Sequence, residues 1–274
     1  MRVVQHACRG DMDTPKPLSE AQPSRVLVAE DELVAQTVAR RCLEAMGYSV
    51  VVARNGEAAV NAWAHQGFSL VLMDLQMERM DGLQAAREIR RQERRPGRRV
   101  PIFGLSASAG PDELAHCTAA GMDGLLIKPL QRARLHRALV EFGVACPAPG
   151  PAGAEIIGHA ESVEEPADLV TLRAKFGGDA VFVQRLCQTF LASVSPLLSE
   201  LGRAAEAGER TLVRALAHRI KGAGANIHAG RVAILAARIE SEATNISASE
   251  LSQAVGDLGR AFDEIARCIS SEFQ

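Results

Sequence analysis

The sequence predicts two regions of different class in series: an α/β region containing a parallel sheet, then an all-α helical bundle. Three observations predict this. Between residues 25 and 145, five short apolar runs alternate with helical periodicities. A proline- and glycine-rich stretch breaks the pattern at 146–167. After Asp168 the apolar periodicity becomes helical and no strand signal appears.

Residues 1–24 are polar, carry Pro15, Pro17 and Pro23, and read as a flexible leader. The apolar runs are Arg25–Ala29, Ser49–Ala53, Ser69–Met73, Pro101–Leu105 and Gly124–Ile127. Near-continuous runs such as VLVA and LVLM are the mark of strands buried on both faces of a parallel sheet. Helical patterns fill the gaps, as at Leu33–Met46, Glu57–His65 and Leu83–Arg94. Five βα units with right-handed crossovers predict a doubly wound, flavodoxin-like five-stranded parallel sheet over 25–145. The stretch 146–167 reads as a Pro/Gly-rich linker, across which few contacts are expected. In 168–274, Phe182, Leu186, Phe190, Val194, Leu197 and Leu201 form one helical stripe, and Leu251, Val255, Leu258, Phe262 and Ile265 another. Pro196 is expected to kink or break its helix.

Composition narrows the function classes. Apolar residues make up 47%, enough for packed cores, and the net charge of -2 gives no general attraction to nucleic acid. The six cysteines form no CxxC pair, so no zinc or dithiol motif is signalled; they read as reduced thiols of a cytoplasmic protein. No apolar run approaches the roughly 20 residues that span a bilayer, and no secretory h-region is visible. The arginines of Arg87–Arg99 alternate with Glu88 and Glu93 and have no aromatic neighbours for base stacking. They read as a solvated helix face and loop, with docking to an acidic partner as the alternative; no direct DNA binding is expected.

Open α/β sheets place their sites beyond the carboxyl ends of the strands. Glu30 and Asp31 close the first strand, Asp74 the third, Ser106 the fourth and Lys128 the fifth. Three carboxylates crowded on one rim repel unless a cation offsets them, and hard oxygen ligands suit Mg²⁺. Asp74 is then placed as a nucleophile on phosphorus, with Lys128 and the Ser106 hydroxyl holding phosphoryl oxygens.

At these positions residues 25–145 resemble a response-regulator receiver domain. The stretches are VLVAEDE (Val26–Glu32), LMDLQMERMDG (Leu72–Gly82), GLSAS (Gly104–Ser108) and GMDGLLIKPL (Gly121–Leu130). The resemblance implies Asp74 as phosphoacceptor, Glu30 and Asp31 as the acidic pair, and the Gln76 backbone carbonyl as a further Mg²⁺ contact. Two positions depart from the family: Glu78 stands where proline is usual, and Leu125 where an aromatic switch residue is common.

His218 lies in a helical pattern that is expected to bury Leu212, Leu216 and Ile220. At 100° per residue it falls about 200° from both Leu216 and Ile220, on the solvent side. Lys221 and Gly222 follow one turn along the same face, where Gly222, with Gly224 close behind, leaves room for a flat partner and Lys221 can offset phosphoryl charge. AHRIKGAGANI (Ala217–Ile227) resembles the HxxKG motif of histidine phosphotransfer (HPt) domains, with FGGD (Phe176–Asp179) and ARIESEA (Ala237–Ala243) resembling flanking segments. That family implies a four-helix bundle over 168–274 with His218 phosphorylated.

The expected function is a phosphorelay intermediate. Asp74 takes a phosphoryl group from an upstream sensor histidine kinase, and His218 carries it to or from a downstream response-regulator receiver. No Gly-rich P-loop or kinase ATP-binding box is visible, so the chain is not expected to be a kinase itself. Two alternatives stand: a phosphatase or phosphate sink for a downstream regulator, and a phosphorylation-gated protein-binding module. Hybrid kinases often end in this pair of domains, so a kinase region upstream is also conceivable.

Overall fold

The computed structural model describes residues 25–93, 99–107, 110–143 and 168–273. The expected leader and linker lie outside the described residues.

The five strands fall almost where the apolar runs predict: β1 (Arg25–Ala29), β2 (Ser49–Ala53), β3 (Leu70–Asp74), β4 (Ile102–Ser106) and β5 (Gly124–Ile127). All pairings are parallel, in the order β2-β1-β3-β4-β5. Between them run α1 (Leu33–Glu44), α2 (Gly56–His65), α3 (Gly82–Gln92), α4 (Pro111–Ala119) and α5 (Arg132–Glu141).

Alternation along the strands feeds two cores. In β3, Leu70 and Leu72 join Leu43 of α1 and Leu135 and Leu139 of α5 on one face. Val71 and Met73 join Ala59 of α2, Ile89 of α3 and Cys117 of α4 on the other. Arg90 is no solvated side chain: it donates to Glu93, Asp123 and the carbonyls of Val100 and Gly121, bracing the start of β4. Arg91 is on the surface, paired with Glu88.

The second region opens with the short α6 (Leu169–Lys175), followed by four long helices: α7 (Ala180–Glu206), α8 (Arg210–Asn226), α9 (Gly230–Glu242) and α10 (Ala248–Glu272). Asp179 caps α7 by accepting from the Phe182 amide, and Ser247 and Glu250 form a reciprocal capping box on α10. By length and composition alone α7 could cross a membrane, but its stripe of Leu186, Phe190, Val194, Leu197 and Leu201 is buried in the bundle core. Pro196 does not break α7. It sits on the exposed side, where water can satisfy the carbonyl that loses its partner. In α8 the buried line is Val213, Leu216, Ala217 and Ile220, a slight rotation from the expected one, and Leu212 is only partly buried.

The main departure from the sequence reading is that the two regions pack together. Val34, Val38 and Cys42, at successive i+4 positions on the outer face of α1, join the bundle core rather than either core of the sheet domain. Ala39 and Leu43 on the opposite face of α1 pack on the sheet. The helix is therefore apolar on two sides, which the pattern at Leu33–Met46 does not separate from an ordinary sheet-covering helix.

Gly82 opens α3 directly beneath the end of β3, its amide donating to Leu75 O at 3.1 Å. A Cβ there would stand 2.1 Å from the Asp74 carbonyl oxygen. Gly82→Ala is therefore expected to cost about 1–3 kcal/mol, the usual range for overpacking, and to displace the Asp74 loop. Urea unfolding tests this; an unchanged midpoint would contradict it.

Candidate functional site

The parallel sheet brings its carboxyl ends to one rim, and every residue expected there from the sequence arrives. Asp74 and Ser106 are the last residues of β3 and β4, Glu30 and Asp31 follow β1, and Lys128 follows β5. Glu30, Asp74 and Ser106 are buried and Asp31 is half-buried. One carboxylate oxygen from each of Glu30, Asp31 and Asp74 lies within 4.8 Å of the others. Lys128 Nζ sits 2.7 Å from Glu30 Oε2 and 2.8 Å from Asp74 Oδ2.

The electrostatics follow from burial. Desolvation raises the Glu30 carboxyl well above its usual range; Lys128 opposes that rise and Asp74 adds to it. Asp31 is also raised by burial, then by repulsion from Asp74. Burial alone would lower Lys128, but Glu30 and Asp74 outweigh it and hold the ammonium protonated far into the basic range. The cluster thus carries more potential negative charge than one lysine neutralises. Three oxygens that close, two of them on carboxyls resisting ionisation, form a hard, oxygen-only donor set suited to a divalent cation such as Mg²⁺. Gln76 stands in the loop after β3, where its amide donates to Asp74 Oδ1 at 3.2 Å.

Two neighbours were not singled out from the sequence. The Ser106 hydroxyl donates to Glu113 Oε1 at 2.6 Å, in the first turn of α4. Glu32 caps α1 by accepting from the amides of Val34 and Ala35, and burial pushes its carboxyl up to about 7. Glu32 lies within the quoted VLVAEDE stretch, directly before the helical pattern at Leu33, but glutamate is not among the usual N-cap residues, so its type gave no capping signal.

His218 occupies the middle of α8. Its side chain is 18% exposed, so it is not the fully open imidazole that helical phase alone predicts. On one side it meets α9: Glu240 Oε1 lies 2.7 Å from His218 Nδ1, and Glu240 Oε2 lies 2.6 Å from Lys221 Nζ. Burial would raise Glu240, but its bonds to His218 and Lys221 prevail and lower it to about 2. An ionised carboxylate only accepts, so Nδ1 must carry a proton. In the neutral ring, Nε2 then keeps its lone pair, the requirement for a nitrogen nucleophile. Lys221 is engaged with the same carboxylate. Glu240 sits inside the quoted ARIESEA stretch; nothing in the linear sequence signals that α9 turns it towards His218.

The glycines divide in role. A Cβ on Gly222 would meet nothing within 4 Å, in keeping with an open approach. One on Gly224 would come within 3.2 Å of the Ala233 amide, so Gly224 permits close packing of α8 on α9 rather than access to the imidazole.

The loop that follows Asp74 meets α8 beside His218. Glu78, in the loop after Asp74, pairs with Arg219, the residue beside His218, at 2.8 Å, and Arg219 also acts electrostatically on Asp31.

Comparison with known proteins gives the following. A family model described as "Response regulator receiver domain" matches residues 26–140, and one described as "Hpt domain" matches residues 185–269. Virulence sensor protein BvgS of Bordetella bronchiseptica is 29% identical over 240 residues, covering 84% of this chain and 19% of its own length. Sensor protein GacS of Pseudomonas syringae pv. syringae is 38% identical over 151 residues, 54% of this chain and 16% of its own length. The chain thus spans less than a fifth of these relatives. Among solved structures, the receiver domain of sensor histidine kinase PA1611 from Pseudomonas aeruginosa PAO1, with a magnesium ion coordinated in its active-site cleft, is 40% identical. It covers 44% of this chain and 97% of its own, at a TM-score of 0.40.

Glu240→Ala is expected to remove the acceptor that holds the proton on Nδ1, giving the neutral His218 ring a mixture of its two tautomers. ¹⁵N NMR of the ring reads this directly. An Nδ1–H tautomer retained in the variant would show that Glu240 does not set it.

Proposed function

Because the chain joins a response regulator receiver domain to an Hpt domain, we propose that it is a phosphorelay intermediate working through Asp74 and His218. The observation that carries this reading is a pair of supported nucleophiles, the Asp74 carboxylate 2.8 Å from the Lys128 ammonium and the His218 ring with Nδ1 2.7 Å from Glu240, on surfaces that meet.

The chemistry runs as two displacements. An Asp74 carboxylate oxygen attacks the phosphorus of a kinase phosphohistidine; a P–O bond forms and the P–N bond to the kinase breaks. His218 Nε2 then attacks the phosphorus; a P–N bond forms and Asp74 leaves as carboxylate. The ring acquires positive charge while Nδ1–H stays on Glu240, whose negative charge offsets it. Lys128, already 2.8 Å from Asp74, is placed to turn to a phosphoryl oxygen, and Ser106 to give up its bond to Glu113 for another. Glu30, Asp31, Asp74 and the Gln76 carbonyl would hold Mg²⁺, which lowers the charge repulsion between the carboxylates and an incoming phosphoryl group. Gly222 leaves the approach to His218 clear.

ATP use belongs to a separate sensor histidine kinase or to a kinase region of a longer protein. The downstream partner is another receiver, and the setting proposed is the cytoplasm. The flow is reversible in principle, so the same residues can drain a downstream regulator to water through Asp74.

Two outcomes test this. Asp31→Ala is expected to abolish labelling of Asp74 by a small acyl phosphate in Mg²⁺ while keeping the wild-type circular dichroism; undiminished labelling in EDTA would exclude the metal assignment. His218→Gln is expected to keep the base-labile aspartyl phosphate and to lose all transfer to a downstream receiver. Transfer at the wild-type rate from that variant would remove His218 from the pathway.

A further inference from the structure

We propose that Glu78 and Arg219 are a docking pair that selects the chain's own receiver for the His218 face, so that this receiver gates the access of any other. The inference rests on the phosphorelay reading for its functional meaning, and on the interdomain contact for its geometry.

The contact has an apolar centre and a charged rim. Val34, Val38 and Cys42 of α1 are buried with the bundle core against α7 and α8. On one edge Arg41 pairs with Asp179 at 2.8 Å, and its guanidinium lies 5.2 Å from the Phe182 ring centroid. On the edge beside the two phosphoryl sites, Arg219 Nη1 pairs with Glu78 Oε1 at 2.8 Å. Arg219 Nε is buried without a hydrogen-bond partner; among the described residues its guanidinium makes its ion pair with Glu78, and Asp31 acts on it only from beyond ion-pair distance.

Rim charges tune which partner docks, and how fast, more than total affinity; a like charge in the same place disfavours the wrong partner. Glu78 suits this task, since a proline at its position carries no charge. A receiver without an acid there meets an unpaired Arg219 next to His218. Because α1 covers α7 and α8, a second receiver can use that face only after the first has left. The gate is therefore the equilibrium between the docked receiver and the freed face.

The test uses the full chain. Alkylation of Cys42, followed by peptide mass spectrometry, reads undocking without any phosphoryl chemistry, because Cys42 is buried in this contact. Glu78→Arg and Arg219→Glu are each expected to raise its labelling about fivefold, the fold-change equivalent to the upper range for an exposed ion pair. The double reversal is expected to restore the slow rate. Unchanged labelling in both single variants, or failure of the double variant to recover, overturns the proposal.

A second arm measures exchange between copies. A donor carrying His218→Gln with Arg219→Glu is mixed with an acceptor carrying Asp74→Asn with Glu78→Arg. Both cis pairs are then like-charged, while Glu78 of the donor can still meet Arg219 of the acceptor. Transfer from donor Asp74 to acceptor His218 is expected to be faster than between copies carrying only His218→Gln and Asp74→Asn. Equal or slower transfer overturns the gating role. If Asp74 takes up no phosphoryl group in the wild-type chain, the relay reading fails, and Cys42 labelling still decides the docking pair.

Discussion

The receiver site depends on one constraint: three carboxyls on a buried rim cannot all be charged without positive charge beside them. Lys128 meets part of this demand by bridging Glu30 and Asp74 at 2.7 and 2.8 Å. Burial first, and repulsion from Asp74 after it, raise the carboxyls of Glu30 and Asp31 even with Lys128 beside them. This makes the site receptive both to a divalent cation and to rearrangement when a phosphoryl group arrives. The sheet supplies the geometry, since only neighbouring parallel strands put β1, β3, β4 and β5 termini on the same side.

The second nucleophile is built by a different device. A helix bundle has no rim where strand ends converge, so the environment of His218 comes from the helix packed beside it. Close approach of α9, permitted by Gly224, brings Glu240 to both His218 and Lys221. One carboxylate fixes the imidazole tautomer and holds a lysine one turn away. Both sites therefore pair an acid with an ammonium, but with opposite sense: in the receiver the lysine supports an acidic nucleophile, and in the bundle the acid supports a basic one.

Much of this was legible in the sequence, for identifiable reasons. Strands buried on both faces, as β3 and β4 are, leave continuous apolar runs, and the edge strands β2 and β5 are apolar too, so all five could be placed within a residue or so, and with them Asp74, Ser106 and Lys128. His218 was legible because helical phase set it apart from the buried stripe and because Lys221 and Gly222 complete a motif resembling HxxKG of HPt domains. What escaped was set by contacts between elements distant in the chain. Glu240 is 22 positions from His218 and Glu78 is 141 from Arg219, and no local pattern links either pair. The second apolar face of α1 escaped because Val34, Val38 and Cys42 are interleaved with Ala39 and Leu43 in one helix. The expectation that few contacts cross between the regions failed for this reason.

The central claim is that a phosphoryl group passes from Asp74 to His218. Time-resolved ³¹P NMR of the full chain, charged by a small acyl phosphate in Mg²⁺, tests it most directly. An acyl-phosphate resonance is expected first, then a phosphoramidate resonance that grows as the first declines and is absent from Asp74→Asn. A phosphoramidate signal on His218 that appears at an undiminished rate in Asp74→Asn would contradict it.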